Sequence, residues 1–161
     1  MVCPSCGATV DDVDGPTHPY LVASAGCWAG FGALQARELE QWGYPPVHGL
    51  AVDAYAASHG GDGRERRDRQ SVVVHLVALC AVLERGASAE ARIALLQRLT
   101  TPKRDFPRLA RPPGFPALTF AHAAGAGDLD EYTSRVRAWA RSVWDFWAQA
   151  HPTVRTYLDA G

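Results

Sequence analysis

Cys3-Pro4-Ser5-Cys6-Gly7 places two thiols two residues apart, with a glycine after the second. That is half of a zinc knuckle: the turn aims both sulfurs at one point, and successive backbone N–H groups can donate to them. A closed tetrahedron needs two more donors. His18 and Cys27 follow, in the order Cys-x2-Cys-x11-His-x8-Cys. Cys3, Cys6, His18 and Cys27 are therefore the expected zinc ligands, with His48 the alternative to His18 in fourth place. A redox pair would call for a strand-to-helix context that the sequence lacks. An inert Cys27 packed beside Trp28 is the bland alternative for the third ligand.

A second set of polar side chains is His48, Asp53, Tyr55, His59 and His75. On one continuous helix His48 and His59 would share a face about 16 Å apart, too far for one metal. Tyr55 and His59 are neighbours at i, i+4. Asp53 points away from both histidines on an ideal helix, so a centre of Asp53, His59 and His75 requires the helix to end near His59, as Gly60-Gly61 allows. His75 sits inside an apolar run, where an unpartnered imidazole costs on the order of 1–3 kcal/mol. It must meet a metal, Asp53, a backbone carbonyl or a ligand. The plainer reading of His75 is a core histidine bonded to a neighbouring helix.

The elements that position these groups read as helices. Residues 1–25 are rich in Cys, Pro, Gly and Asp and show no sustained period, so they need help to hold together. Trp28, Phe31, Leu34, Leu39 and Trp42 follow at helical spacing, with Gly43 as a stop. Val47 to about His59 reads as a second helix, and 66–85 as a third. Within the third, Val72 to Leu83 is apolar nearly all round, which marks a buried central helix. Ser88 caps a helix through Leu99. Residues 101–117 hold five prolines and read as irregular. Thr119 caps a short helix, Asp128-x-x-Glu131 opens the last long one, and His151-Pro152 breaks or kinks it before a final turn. No strand alternation or internal repeat is visible. The expected fold is all-α: five to six helices over 26–161, carrying 1–25 as an irregular zinc-knuckle segment within one domain.

Composition agrees with a globular protein, at 47% apolar and 20% charged residues over 161 positions. A net charge of −1 gives no reason to expect a nucleic-acid or membrane partner. Arg64, Arg66, Arg67 and Arg69 are interleaved with Asp62, Glu65 and Asp68 and read as a solvated loop and helix start. Met1-Val2-Cys3-Pro4 lacks the basic-then-apolar order of a secretory signal. The expected setting is cytoplasmic.

Taken together, Cys3-Pro4-Ser5-Cys6-Gly7-Ala8, Gly15-Pro16-Thr17-His18-Pro19-Tyr20, Gly26-Cys27-Trp28-Ala29, Val52-Asp53-Ala54-Tyr55-Ala56 with His59, Gln70-Ser71-Val72-Val73-Val74-His75-Leu76, Glu84-Arg85-Gly86 and Arg137-Ala138-Trp139-Ala140-Arg141-Ser142-Val143-Trp144 resemble the bacterial family labelled domain of unknown function 5946 (DUF5946). Where that pattern usually reads Ser-Pro-Gly-Cys-Trp, this chain has Ala25 in place of proline. Where it often reads Gln-His-Pro-Gly, this chain has Ser58-His59-Gly60-Gly61. The resemblance supports the candidate residues and implies no reaction.

The leading functional expectation is a metal-dependent hydrolase or transferase acting on a small molecule. It would use a structural Zn2+ at the cysteines and a His48, Asp53, Tyr55, His59 and His75 centre able to take a second divalent metal. The competing expectation is a non-catalytic, zinc-stabilised binding or regulatory module. Oligomeric state is left open.

Overall fold

The computed structural model describes residues 1–160. Among them the helices are α1 (Ala25–Trp42), α2 (His48–Ser58), α3 (Arg66–Arg85), α4 (Ala89–Thr100), α5 (Phe120–Ala124), α6 (Leu129–Phe146) and α7 (His151–Asp159), and the fold is all-α. Side-chain caps and left-handed stops set several of the boundaries. Ser24, Ser88, Thr119 and Asp128 each accept a first-turn backbone N–H at the start of α1, α4, α5 and α6. Gly43 and Gly86 take the left-handed conformation after α1 and α3. At α6 the Glu131 carboxylate accepts the Gly127 N–H at 2.7 Å, one residue earlier than a reciprocal capping box would place it.

The apolar middle of α3 has to be covered on every side. α3 packs against α2, α4, α6 and α7, and Val72, Val73, Val74, Leu76, Val77, Leu79 and Cys80 are all buried. α2 is almost entirely buried between α3 and α6, and Ala51, Ala54, Ala56 and Ala57 let it lie close to both. α6 contributes the stripe Tyr132, Val136, Trp139, Val143 and Trp144.

The last long helix ends earlier than its proline suggests. α6 stops at Phe146, a 3-10 turn spans Ala148–Ala150, and Pro152 lies in the first turn of α7, where its missing N–H is harmless. His151 Nε2 bonds the Trp144 carbonyl at 2.8 Å across the break.

The N-terminal segment forms a tight hairpin without a regular strand. Cys3 N–H donates to Ala8 O (2.8 Å), Val10 N–H donates to Met1 O (2.9 Å), and Val2 bridges Thr9. The segment then runs to the end of α2, where Leu21 bridges Gly60 and Val22 N–H donates to His59 O at 2.8 Å. The proline-rich stretch between α4 and α5 buries Phe106 and is tied to α3 by Arg69, which bonds Phe106 O and Asp105. No helix of the described residues is long and apolar enough to cross a membrane.

Candidate metal centre

Three separate segments converge on one point. Cys3 and Cys6 come from the hairpin, whose turn closes with Gly7 N–H donating to Cys3 O at 3.0 Å. Gly7 has φ 77°, a conformation glycine adopts without a Cβ penalty. The backbone N–H groups of Cys6 and Ala8 favour the thiolates of Cys3 and Cys6 respectively, as expected of a knuckle. Cys27 comes from the first turn of α1, where Ser24 Oγ accepts its N–H at 3.2 Å and the helix dipole favours a thiolate. Gly26 beside it is required by contact, since a Cβ there would lie 2.0 Å from the Asp11 carbonyl oxygen.

The fourth donor is His59, at the end of α2. Its own backbone N–H turns back to Ala56 O (3.1 Å), leaving the Tyr55 carbonyl without its helical partner. The His59 side chain supplies one: Nδ1 lies 2.7 Å from Tyr55 O. A carbonyl only accepts, so Nδ1 carries the proton and Nε2 presents its lone pair to the sulfurs. Nε2 stands 3.3 Å from Cys27 Sγ and 3.6 Å from Cys3 Sγ, and Cys6 Sγ is 3.8 Å from Cys27 Sγ. All four ligand atoms lie within 4.8 Å of one another, and the four residues are at most 2% exposed. The group can hold a metal ion.

Its electrostatics ask for a cation. Hydrogen bonds from Cys27 and Cys6 draw the Cys3 thiol far below its ordinary value despite burial. Cys6, although eased by its bond with Cys27, is pushed up to about 11 by Cys3 and by burial. Cys27 is pushed up by Cys3, then Cys6, then burial. One negative charge is favoured here and further ones are opposed, which a divalent ion would reverse. Tyr55 OH stands 3.5 Å from Cys27 Sγ, while its ring stacks on His59 (4.0 Å) and Phe31 (3.9 Å). Burial, then the bond to Cys27, raises its phenol pKa, so it remains a donor.

Arg111 had no signature in the sequence. From the proline-rich stretch its guanidinium donates to Ser5 O in the knuckle and to Ser58 O at the end of α2 (3.0 Å). It thereby ties two ligand-bearing loops together and sets a positive charge near Cys6 and Cys3.

Two expected ligands stand elsewhere. His18 lies outside the donor group, edge-on to Tyr20 (4.3 Å) and Trp28 (5.1 Å), with Nδ1 accepting the Tyr20 N–H. Burial, then the nearby His75, lowers its pKa. His48 is bonded through Nδ1 to the buried Glu38, which also accepts from Tyr132 OH. His59 thus belongs with the cysteines, and the spacing pattern failed because the fourth donor comes from the end of a different helix.

The grouping of Asp53, His59 and His75 likewise separates. Asp53 is fully buried and faces α3 and α4, where Arg92 Nε and Nη2 donate at 2.5 and 2.6 Å and His75 Nδ1 at 2.8 Å. A guanidinium already occupies the place a second metal would take at this carboxylate. The partner that His75 required is therefore Asp53.

No curated protein and no solved structure matches the chain at a significant level. Residues 1–148 match the Family of unknown function (DUF5946), a span that includes all four donors. The chain belongs to the DUF5946 family.

Proposed function

We propose that the chain is a zinc-stabilised helical binding protein whose metal is structural and closed to substrate. The supporting observation is that three of the donor separations match the edges of a closed tetrahedral site. Tetrahedral zinc, with Zn–S near 2.3 Å and Zn–N near 2.0–2.1 Å, requires S–S edges of about 3.8 Å and S–N edges of about 3.6 Å. The Cys6–Cys27 separation is 3.8 Å, and His59 Nε2 lies 3.6 and 3.3 Å from Cys3 and Cys27. Three thiolates and an imidazole are a donor set that suits zinc. With all four positions taken by buried side chains, no coordination site remains open for water or substrate, so the metal would organise the fold rather than activate a nucleophile.

Metal analysis of protein purified without chelator tests this reading. We expect one zinc per chain, lost in Cys3→Ser and His59→Ala and kept in His18→Ala and His48→Ala. Cobalt substitution should give a tetrahedral thiolate spectrum. Metal-free protein in which the Cys3–Ala8 hairpin and the end of α2 stay as ordered as in the loaded form, or zinc retained by His59→Ala, would overturn it.

A metal-independent enzyme is a second reading, favoured by one observation. Asp53 fixes the proton of His75 on Nδ1, and among the described residues Nε2 makes no hydrogen bond. That is how a general base is oriented. Activity that survives chelation and is lost in His75→Gln would support it.

A further inference from the structure

Three thiolates and a neutral imidazole around a divalent ion leave one net negative charge at the sulfur centre. Each of the four donor residues is at most 2% exposed, so water does little to offset that charge. An uncompensated charge in such a place is costly, and a cation beside it removes much of the cost.

Arg111 is placed to be that cation. It reaches in from the stretch between Phe106 and Leu118, where no residue makes a backbone–backbone hydrogen bond. Its guanidinium donates to Ser5 O, between the two knuckle cysteines, and to Ser58 O, next to His59. The Phe146 ring, at the end of α6, lies 5.0 Å away and holds it by a cation–π contact.

All three of these partners are uncharged. Among the described residues Arg111 forms no ion pair with a carboxylate, and the acidic groups beside the end of α2 are engaged elsewhere. Asp62 pairs with Arg64, and Asp68 packs against Gly61. Nor does any other arginine or lysine of the described residues donate to the hairpin, to the first turn of α1 or to the end of α2. A half-buried guanidinium without an anion and a buried centre without a counter-charge are therefore neighbours, each lacking what the other supplies. Burial lowers the Arg111 pKa, while the charges of Cys6 and then Cys3 raise it, which agrees with that proximity.

We propose that Arg111 is the counter-ion of the zinc–thiolate centre, a positioning residue that sets metal affinity through its charge as well as through the loops it joins. This role presupposes zinc at the four donors. Arginine suits it, because its charge persists on desolvation and its planar fork reaches two carbonyls at once.

The test compares full-length parent protein with Arg111→Lys, Arg111→Gln and Arg108→Gln, each loaded with zinc and, separately, with cobalt. Zinc affinity is read by chelator competition, the sulfur-to-cobalt charge-transfer band by absorption, and folding by amide protection at Leu76 and Val77. Arg111→Gln should bind zinc about tenfold more weakly, as when other groups outside the ligand set are lost. Its band should move to lower energy, since no neighbouring positive charge then holds the sulfur electrons. Arg111→Lys keeps the charge and loses the fork, so it should recover most of the affinity and leave the band in place. Arg108→Gln, three residues earlier, should match the parent. Equal losses in Arg111→Lys and Arg111→Gln, or an unmoved band in Arg111→Gln, would make Arg111 a clamp alone and overturn the proposal while zinc binding stands. A parent protein that takes up neither metal would overturn the zinc reading and this role with it.

Discussion

The carbonyl oxygen of Tyr55 accepts the Nδ1–H of His59 at 2.7 Å, taking from a side chain the bond that a continuing helix would have drawn from the backbone. This contact ends α2 and selects the tautomer that turns Nε2 toward the sulfurs. Helix termination and ligand orientation are thus one event.

Tyr55 also reaches the centre through its hydroxyl, 3.5 Å from Cys27 Sγ. Tyr55→Phe keeps the carbonyl and the aromatic stack and removes only the donor. Zinc affinity is expected to fall about tenfold, as for other groups that bond a ligand rather than the metal, with little change in unfolding midpoint. Competition against a chromophoric chelator measures it, and unchanged affinity would remove the hydroxyl from the site.

Stripping the metal should act locally. The hairpin around Cys3 and Cys6 depends on the sulfur cluster, whereas α3 is covered by four other helices. Hydrogen exchange after chelation is expected to quicken at Cys3–Ala8 and around His59 while Leu76 and Val77 stay protected. Simultaneous loss of protection throughout would mean that the bundle itself requires the metal.

Much of this was readable in the chain because local rules govern it. Ser88, Thr119, Asp128, Gly43 and Gly86 mark helix ends through one-turn geometry, and the apolar run of α3 declares its own burial. Cys3 and Cys6 were legible for the same reason, since the two-residue spacing is itself a turn. His59 was misplaced because it meets Cys3 across 56 positions, a distance set by helix packing and not by any repeat. Arg92, Arg111 and Glu38 escaped notice because charged residues usually face solvent. Only the tertiary fold gives them Asp53, the ligand loops, and His48 with Tyr132 as partners.

Arg92 supports the fully buried Asp53 with two hydrogen bonds and is itself 11% exposed. Arg92→Ala would leave the carboxylate with His75 alone. A cost of about 3–5 kcal/mol is expected, the range for breaking a buried pair from one side. Urea denaturation of the two single variants with Ala and of the double variant checks it. The double should cost clearly less than the sum, because removing both partners leaves no stranded charge.

Glu84 gives a pH dependence of known sign. Arg155 grips its carboxylate at 2.8 and 3.0 Å, burial opposes, and Trp144 Nε1 adds a bond at 3.0 Å, so the pKa is lowered from 4.5 to about 2. A carboxyl lowered on folding stabilises above its unfolded value and loses that contribution as pH falls from about 4.5 toward 2. Glu84→Gln should therefore be less stable than the parent at pH 7, by about 1 kcal/mol given its partial exposure, and the gap should close in acid. Comparing the two proteins at each pH cancels any metal loss common to both. A gap that persisted at low pH would assign the effect to packing.

Position 25, where the family resemblance implies a proline, has the geometry of a proline site. Ala25 is the first helical residue after the cap Ser24, the position where a missing N–H costs nothing and a fixed φ is already helical. Ser24 itself has φ −67° and ψ 157°, the extended conformation that a following proline imposes on its neighbour. Ala25→Pro is therefore compatible with the backbone as it stands and removes freedom only from the unfolded chain. A stabilisation of about 0.4–1 kcal/mol is expected, seen as a rise in Tm with zinc stoichiometry unchanged. A fall in Tm would show that the turn into Cys27 needs the looser residue.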